Sequence, residues 1–311
     1  MRRGPIRLFL RRRGGTVAGS LAWFFMEAVN LELQEKQRRL EGRLRALGPV
    51  LVAYSGGVDS AYLAWSARRS LGDGMLAVIA DSPSLARRHL EEALAFARHE
   101  RIPLEILRTK EMENPAYVKN DAMRCFHCKS ELFTVMEEAR ERLGFRHLAY
   151  GMNVDDEGDF RPGQTAARQH GVTAPLVEAG LTKQDIRALA LSAGLQVWDK
   201  PASACLSSRV AYGRPVTREA LGRIEQGEDY LRGLGLRQFR VRDHGEIARI
   251  EVAAEEMGRL FSREMMATLA ARFKALGFAY VTLDCEGYRS GSMNETLTDR
   301  ALGASHAHRV S

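Results

Sequence analysis

The hexapeptide Ser55-Gly56-Gly57-Val58-Asp59-Ser60 lies between an unbroken apolar run, Val50-Leu51-Val52-Ala53-Tyr54, and a stretch over 61–71 with helical spacing. A continuous apolar run is what a strand needs when helices cover both faces of its sheet, the situation of a parallel sheet. Strand, glycine turn and helix in this order open a βαβ unit. The pattern repeats as strand 75–80, helix 84–98, strand 104–107, helix 129–143 and strand 147–150. The expected fold class is α/β, a doubly wound parallel sheet, whose ligands bind at the carboxyl ends of the strands. That rim would gather residues 55–60, Asp81-Ser82 and Gly151-Met152-Asn153.

The loop itself points to an anion. Gly56 and Gly57 remove Cβ atoms so that successive N–H groups can turn toward a phosphate, and the following helix adds about half a positive charge. Ser55 and Ser60 carry hydroxyl donors, and Asp59 suits a Mg²⁺ ion. The Gly-Lys-Ser/Thr ending of a Walker loop is missing. The loop therefore suits holding pyrophosphate as a leaving group, with attack at the α-phosphate of ATP. Residues 55–60 resemble the loop of the PP-loop ATP pyrophosphatases, a superfamily that includes amide synthetases and tRNA thiolases.

Around this centre the chain divides into three parts. Residues 1–30 form a basic extension, expected to be disordered, or an over-extended start with the initiator at Met26. Residues 31–214 form the nucleotide domain. It opens with an amphipathic helix over 31–47 (Leu31, Leu33, Leu40, Leu44, Leu47) that Gly48-Pro49 ends, and it includes a rim loop over 153–163 and a helix from Thr182-x-x-Asp185 to 193. Residues 215–311 change order to helix 218–234, strands 238–242 and 247–252, helix 263–276 and strand 280–284, a smaller α+β domain for substrate binding or oligomerisation.

Lys and Arg exceed Asp and Glu by 46 to 39, but six arginines and no acid fall in residues 1–25, so the remaining 286 residues sum to only +1. A near-neutral body does not offer the basic stripe that a nucleic acid needs. No long apolar run suggests a membrane span, and four cysteines do not make a disulfide scaffold. The expected compartment is the cytoplasm.

Three of those cysteines sit in suggestive surroundings. Cys125-Phe126-His127-Cys128 spaces two soft ligands to chelate one metal or cluster, and Cys205 lies at the end of the nucleotide domain, within reach of the same pocket. Three thiolates leave tetrahedral zinc one ligand short, whereas a [4Fe-4S] cluster with three protein ligands keeps one iron open to an added sulfur. Structural zinc completed by a histidine and inert buried thiols are the competing readings. Cys285 reads as core or as lining of a substrate pocket.

In the last third, Phe239-Arg240-Val241-Arg242 alternates so that Arg240 and Arg242 share a strand face, with Arg249, Glu251, Asp284 and Arg289 on or beside neighbouring strands. Paired arginines fork onto carboxylate or phosphate, although a solvated charged face would show the same pattern. Glu251 and Asp284 suit either a magnesium ion or a ribose hydroxyl.

Taken together, residues 54–60, Gly151-Met152-Asn153 through Phe160-Arg161-Pro162-Gly163, Pro201-Ala202-Ser203-Ala204-Cys205-Leu206-Ser207-Ser208-Arg209 with Tyr212-Gly213, and Val281-Thr282-Leu283-Asp284 through Arg289-Ser290-Gly291 resemble the LarE family over nearly the whole chain. The resemblance implies an adenine nucleotide alpha hydrolase-like PP-loop fold. It implies that ATP adenylates the carboxylates of pyridinium-3,5-biscarboxylic acid mononucleotide, which become thiocarboxylates on the way to the nickel-pincer nucleotide cofactor. Cys205 matches the sulfur-bearing position. One branch of the family sacrifices that cysteine, while Cys125 and Cys128 place this chain with the branch that holds a [4Fe-4S] cluster. Ser208 and Arg209 join Arg240, Arg242, Glu251, Asp284 and Arg289 as expected substrate ligands, and Ser82, Gly151 and Met152 join the loop as nucleotide ligands. A homo-oligomer, the other pincer-cofactor enzymes and a sulfide or cysteine desulfurase source are the partners implied. A PP-loop tRNA thiolase, which can also use three cysteines around a cluster, is the alternative reading. A nucleotide-binding module without chemistry is a further one.

Overall fold

The computed structural model of the chain describes residues 17–157, 162–201, 204–289 and 292–294, with the backbone alone for 17–30 and 294. Residues 1–16 of the basic extension and the expected motif residues Phe160, Arg161, Ala202, Ser203, Ser290 and Gly291 lie outside the described residues.

In chain order the first elements are α1 (Val17–Leu47), β1 (Val50–Ala53), α2 (Val58–Leu71), β2 (Met75–Asp81), α3 (Arg87–His99) and β3 (Leu104–Arg108). Then come α4 (Pro115–Val118), α5 (Arg124–Leu143), β4 (His147–Tyr150), α6 (Pro162–Gln169), α7 (Pro175–Glu178) and α8 (Lys183–Ser192). The last third holds α9 (Arg218–Gly233), β5 (Phe239–Asp243), β6 (Ile247–Val252), α10 (Ala254–Met257), α11 (Arg263–Ala275) and β7 (Tyr280–Leu283). The first helix is longer than the periodicity of 31–47 indicates, so residues 17–30, expected to be disordered, are helical in backbone. The rim loop expected over 153–163 contains a short turn at Val154–Asp156 and the start of α6.

Strands β1 to β4 form one all-parallel sheet in the order β3-β2-β1-β4, with Val50 opposite both Met75 and His147. Successive side chains of β1 leave opposite faces. Val50 and Val52 enter a core with Leu40 and Leu44 of α1, Tyr62 and Leu63 of α2, Phe96 of α3 and Ile186 of α8. Leu51 and Ala53 enter a second core with Phe133 and Met136 of α5 and Ala166 of α6. Helices thus cover both faces, which is why the strand is apolar throughout. Each Leu or Val so enclosed stabilises the fold by about 1.5–3 kcal/mol over its exposed form. The chain runs outward from β1 to β2 and β3, then returns to place β4 on the other side of β1. The gap between the exits of β1 and β4 is the topological switch point, where a doubly wound sheet leaves a crevice.

A second, three-stranded sheet has the order β5-β6-β7, with β5 antiparallel to β6 and β7 parallel to β6. Val241, Ala248 and Ile250 turn into a core with Leu231 of α9 and Leu269 and Phe273 of α11. The opposite face carries Arg240 across from Glu251 and Arg242 across from Arg249. A further apolar cluster of Tyr117, Leu206, Val210, Val216, Leu221 and Ile224 joins α4 and the turn after Cys205 to α9. No described helix is long and apolar enough to cross a membrane.

Candidate active site

Two glycines, Gly56 in the loop after β1 and Gly151 after β4, stand where an added Cβ would collide with its neighbours. Gly56 has φ +73°, and a Cβ there would lie 2.6 Å from the Cβ of Ala93. A Cβ on Gly151, directly after β4, would lie 2.7 Å from the backbone N of Ser60 and 2.9 Å from its Cα. The exits of β1 and β4 are therefore in backbone contact. Gly57 caps α2 without a side-chain hydrogen bond, so the N–H groups and dipole of the first turn are presented toward the crevice. Ser60 accepts from the N–H of Ser55 at 3.1 Å, donates to the carbonyl of Gly57 at 3.1 Å, and lies 3.0 Å from the Ser55 hydroxyl. Both serines, expected as phosphate donors, here brace the loop.

Asp59 has two differently used oxygens. Oδ2 accepts from Nζ of Lys183, whereas Oδ1 is buried with no hydrogen-bond partner among the described residues. An orphaned carboxylate oxygen in a phosphate crevice fits a Mg²⁺ ion, which takes oxygen ligands and keeps the rest of its shell for water and phosphate. Lys183 begins α8, where Thr182 and Asp185 form the expected capping box, and its N–H donates to Asp155 at 2.8 Å. A second lysine, Lys200, donates to the carbonyl of Gly56 at 3.1 Å and pairs with Glu92 at 3.1 Å. Sequence reasoning missed both. A trace of Lys183 was legible, because a cation at the first position of a helix opposes the macrodipole and needs another reason to be there. Ser82, on the rim after β2, is buried and donates to the carboxylate of Glu111. Met152 receives a hydrogen bond from the Tyr150 hydroxyl at 2.8 Å.

The helix expected from residue 129 begins at Arg124, so Cys125 and Cys128 occupy its first turn, three residues apart on one face. Cys125 is exposed and Cys128 half-buried. Cys205 is half-buried and precedes a tight turn, Leu206–Arg209, and the N–H of Leu206 donates to the carbonyl of Ser84 at 2.8 Å, which fastens that turn beside the exit of β2. Burial and, after it, the Cys205 charge push the Cys128 thiol up to about 12. Burial also works to raise Cys205, but the Arg124 guanidinium, the Ser207 hydroxyl, Arg209 and the Ser208 N–H outweigh it and hold this thiol below its ordinary value.

Arg124 is the group that sequence reasoning overlooked here. It is 4% exposed and donates to Asn120 Oδ1 and, at 3.0 Å, to the carbonyl of Ser207, and it lies 5.3 Å from the ring centre of Tyr212. Its burial disfavours the charge, yet Cys205 and Cys125 hold it protonated. Three thiols and one buried guanidinium thus share a neighbourhood. Among the described residues no three His, Cys, Asp or Glu side chains are drawn together as for a single metal ion. A cubane takes its thiolates on separate corners and needs them wider apart, and a donor set of three cysteines beside a cation fits such an anionic cluster.

Arg209, expected to touch substrate, is 2% exposed and fully committed. It binds Glu228 of α9 at 2.9 and 3.3 Å and donates to the carbonyls of Ala204 at 2.6 Å and Cys205 at 2.8 Å. It positions the cysteine turn. Ser208 donates to the Cys205 carbonyl at 2.7 Å, and its own carbonyl accepts from Arg242 at 3.3 Å. Glu251 is wholly buried and receives Arg242 at 2.7 Å, Arg249 at 3.0 Å and Ser292 at 3.0 Å, so its carboxylate is saturated by the protein. Asp284 lies 3.5 Å from Arg249, Arg240 lies 5.0 Å from the ring centre of Tyr288, and Arg289 pairs with Glu286. The second sheet therefore gathers Arg240, Arg242, Arg249, Glu251 and Asp284 on one charged face. Cys285, expected as core or pocket lining, is exposed.

No family model matches the chain. It is 42% identical over 266 residues to an uncharacterized protein of Synechocystis sp., covering 86% of this chain and 99% of that one. It is 34% identical over 273 residues to the pyridinium-3,5-bisthiocarboxylic acid mononucleotide synthase of Lactiplantibacillus plantarum, covering 87% of this chain and 98% of the relative. A shorter likeness, 34% identity over 111 residues, links 34% of this chain to 20% of the glutamine-hydrolyzing GMP synthase of Rippkaea orientalis.

Proposed function

Because the chain belongs to the LarE family, we propose that it is a sulfur-transferring enzyme of pincer-cofactor biosynthesis that uses ATP to adenylate the carboxylates of pyridinium-3,5-biscarboxylic acid mononucleotide and replaces the activated oxygen with sulfur. The observation that carries this reading is the joining of two chemistries on one rim. The phosphate loop, with the orphaned oxygen of Asp59, is tied through Lys200 to the segment that leads to Cys205, and that segment is tied through Leu206 to the exit of β2.

A carboxylate resists substitution because oxide would have to leave, and conversion of that oxygen to AMP supplies a competent leaving group. In this reading the N–H groups of the α2 first turn hold the β- and γ-phosphates, Asp59 holds the metal, and Lys183 turns from Asp59 toward the pyrophosphate as charge develops there. When bound, magnesium would neutralise the departing pyrophosphate, and a [4Fe-4S] cluster on Cys125, Cys128 and Cys205 would present sulfide at its iron that lacks a protein ligand. Arg124 balances the thiolate charge, and Arg209 and Ser208 fix the backbone of the Cys205 turn. The charged face of the second sheet takes the substrate phosphate and carboxylate, and Arg240, which donates to the Phe239 carbonyl and stacks on Tyr288, is the arginine of that face that reaches the phosphate. Sulfur attack on the acyl carbon then expels AMP.

The test is anaerobic purification with iron and labile-sulfide analysis, followed by incubation with ATP, magnesium and the biscarboxylic mononucleotide. Pyrophosphate release together with a thiocarboxylate product is the expected result, with the thiocarboxylate lost and pyrophosphate release retained in Cys205→Ala. Release of pyrophosphate without sulfur incorporation by the cluster-loaded protein would overturn the assignment.

A further inference from the structure

The cluster of Tyr117, Leu206, Val210, Leu221 and Ile224 is apolar except for the end of one side chain. Tyr117 is wholly buried, yet its hydroxyl meets that of Ser84 and lies beside that of Ser207. Ser84 is 3% exposed and Ser207 1%. Ser207 Oγ in turn lies 3.0 Å from the sulfur of Cys205. Three hydroxyls from three separate segments, the loop after β2, the helix α4 and the cysteine turn, thus form a buried line that ends on one thiol. Buried hydroxyls do not improve an apolar cluster; each must be satisfied by another or it destabilises the fold by about 1–3 kcal/mol. A phenylalanine at 117 would fill the same space without that demand.

We propose that Tyr117 and Ser207 are positioning residues for sulfur transfer: Ser84 anchors the Tyr117 hydroxyl, Tyr117 orients the Ser207 hydroxyl, and Ser207 holds the Cys205 sulfur in place. The line leaves the phosphate loop untouched, so it acts on the second half of the reaction alone. Hydroxyls that hydrogen-bond a ligand sulfur fix its direction and its electron density in the same way that carboxylates fix ligating histidines. The inference rests on the function proposed above, since it assigns the line to the step that uses the Cys205 sulfur.

The experiment is a double-mutant cycle of Tyr117→Phe and Ser207→Ala, read three ways. In the cluster-loaded enzyme, Ser207→Ala lowers thiocarboxylate formation by about tenfold, Tyr117→Phe lowers it by a smaller factor, and the double variant equals Ser207→Ala. Pyrophosphate release and the KM for ATP stay at parental values, the melting temperature falls by no more than the loss of one buried hydrogen bond accounts for, and Ser207→Thr restores the rate. The reduction potential of the cluster moves to a more negative value in both single variants, because a lost hydrogen bond to a ligand sulfur disfavours the reduced form. The third reading needs neither cluster nor substrate: alkylation of Cys205 by iodoacetamide in the metal-free protein changes in both single variants, while that of the exposed Cys285 does not. If Tyr117→Phe multiplies the effect of Ser207→Ala, or if neither variant alters Cys205 alkylation, the line is overturned. Should the parental enzyme form no thiocarboxylate while the alkylation contrast persists, the function fails and the line stands.

Discussion

At the scale of single residues, the asymmetry of Asp59 and the contrast between two thiols are the properties most open to measurement. Asp59→Asn keeps the volume and the contact with Lys183 but removes the negative charge that a metal needs, so ATP-dependent pyrophosphate release should fall by about 100-fold or more, as when other charge-stabilising groups are removed from active sites. Cys128 and Cys205 differ in direction. The Cys128 thiol keeps its proton up to about 12 in the folded chain but loses it near 9.0 in the unfolded one. The folded state therefore holds more protons between those values, and the stability this gives is complete below pH 9.0 and drains away as the pH rises toward about 12. Tyr62, pushed up to about 12 by burial, acts in the same direction above 10.0. The melting temperature of metal-free protein should fall steadily above pH 9.0, and Cys128→Ser should make the first part of that fall shallower. At neutral pH, alkylation should reach Cys205 before Cys128, which peptide mapping by mass spectrometry can read.

At the scale of elements, the contact between the ends of β1 and β4 makes Gly151 a fixed point. In Gly151→Ala the new methyl meets backbone, not a movable side chain, and should destabilise the fold by about 1–3 kcal/mol in a urea titration and weaken ATP binding as α2 is pushed from the crevice. Gly42→Ala in α1 is the control: nothing lies within 4 Å of that Cβ, and the change should stabilise the helix by about 0.5–1 kcal/mol. The sheet was legible because β1 and its neighbours are covered on both faces and read as apolar runs, with the starts of β1 through β4 where the sequence puts them. The start of α5 was not. Arg124-Cys125-Phe126-His127-Cys128 carries no cap signal and no apolar period, and what draws it into a helical turn is Arg124, bound to Asn120 and Ser207, the latter 83 positions away. The alternation over 239–242 gave the shared face of Arg240 and Arg242, but not that Glu251 would take up Arg242, since pairing across strands depends on register.

At the scale of the whole molecule, the two sheets are joined through buried charge as well as through apolar contact. The pair between Arg209 and Glu228, with both side chains nearly inaccessible, links the cysteine turn to α9. Glu228→Gln retains the shape and leaves a buried guanidinium uncompensated, so it should destabilise the protein by about 3–5 kcal/mol, seen as a lower urea midpoint; an unchanged midpoint would remove the pair from this role. None of this was visible in the sequence, where the resemblance of its motif made Arg209 an expected substrate ligand. The same guanidinium that grips α9 also grips the carbonyls of Ala204 and Cys205, and the Ser208 carbonyl beside them is gripped by Arg242 of the second sheet. The turn is thus indexed to the charged sheet as a tool is to its jig. A substrate seated on that face meets the Cys205 sulfur at a distance set when the chain folds, and mutations that loosen the jig should show as misdirected sulfur before they show as lost binding.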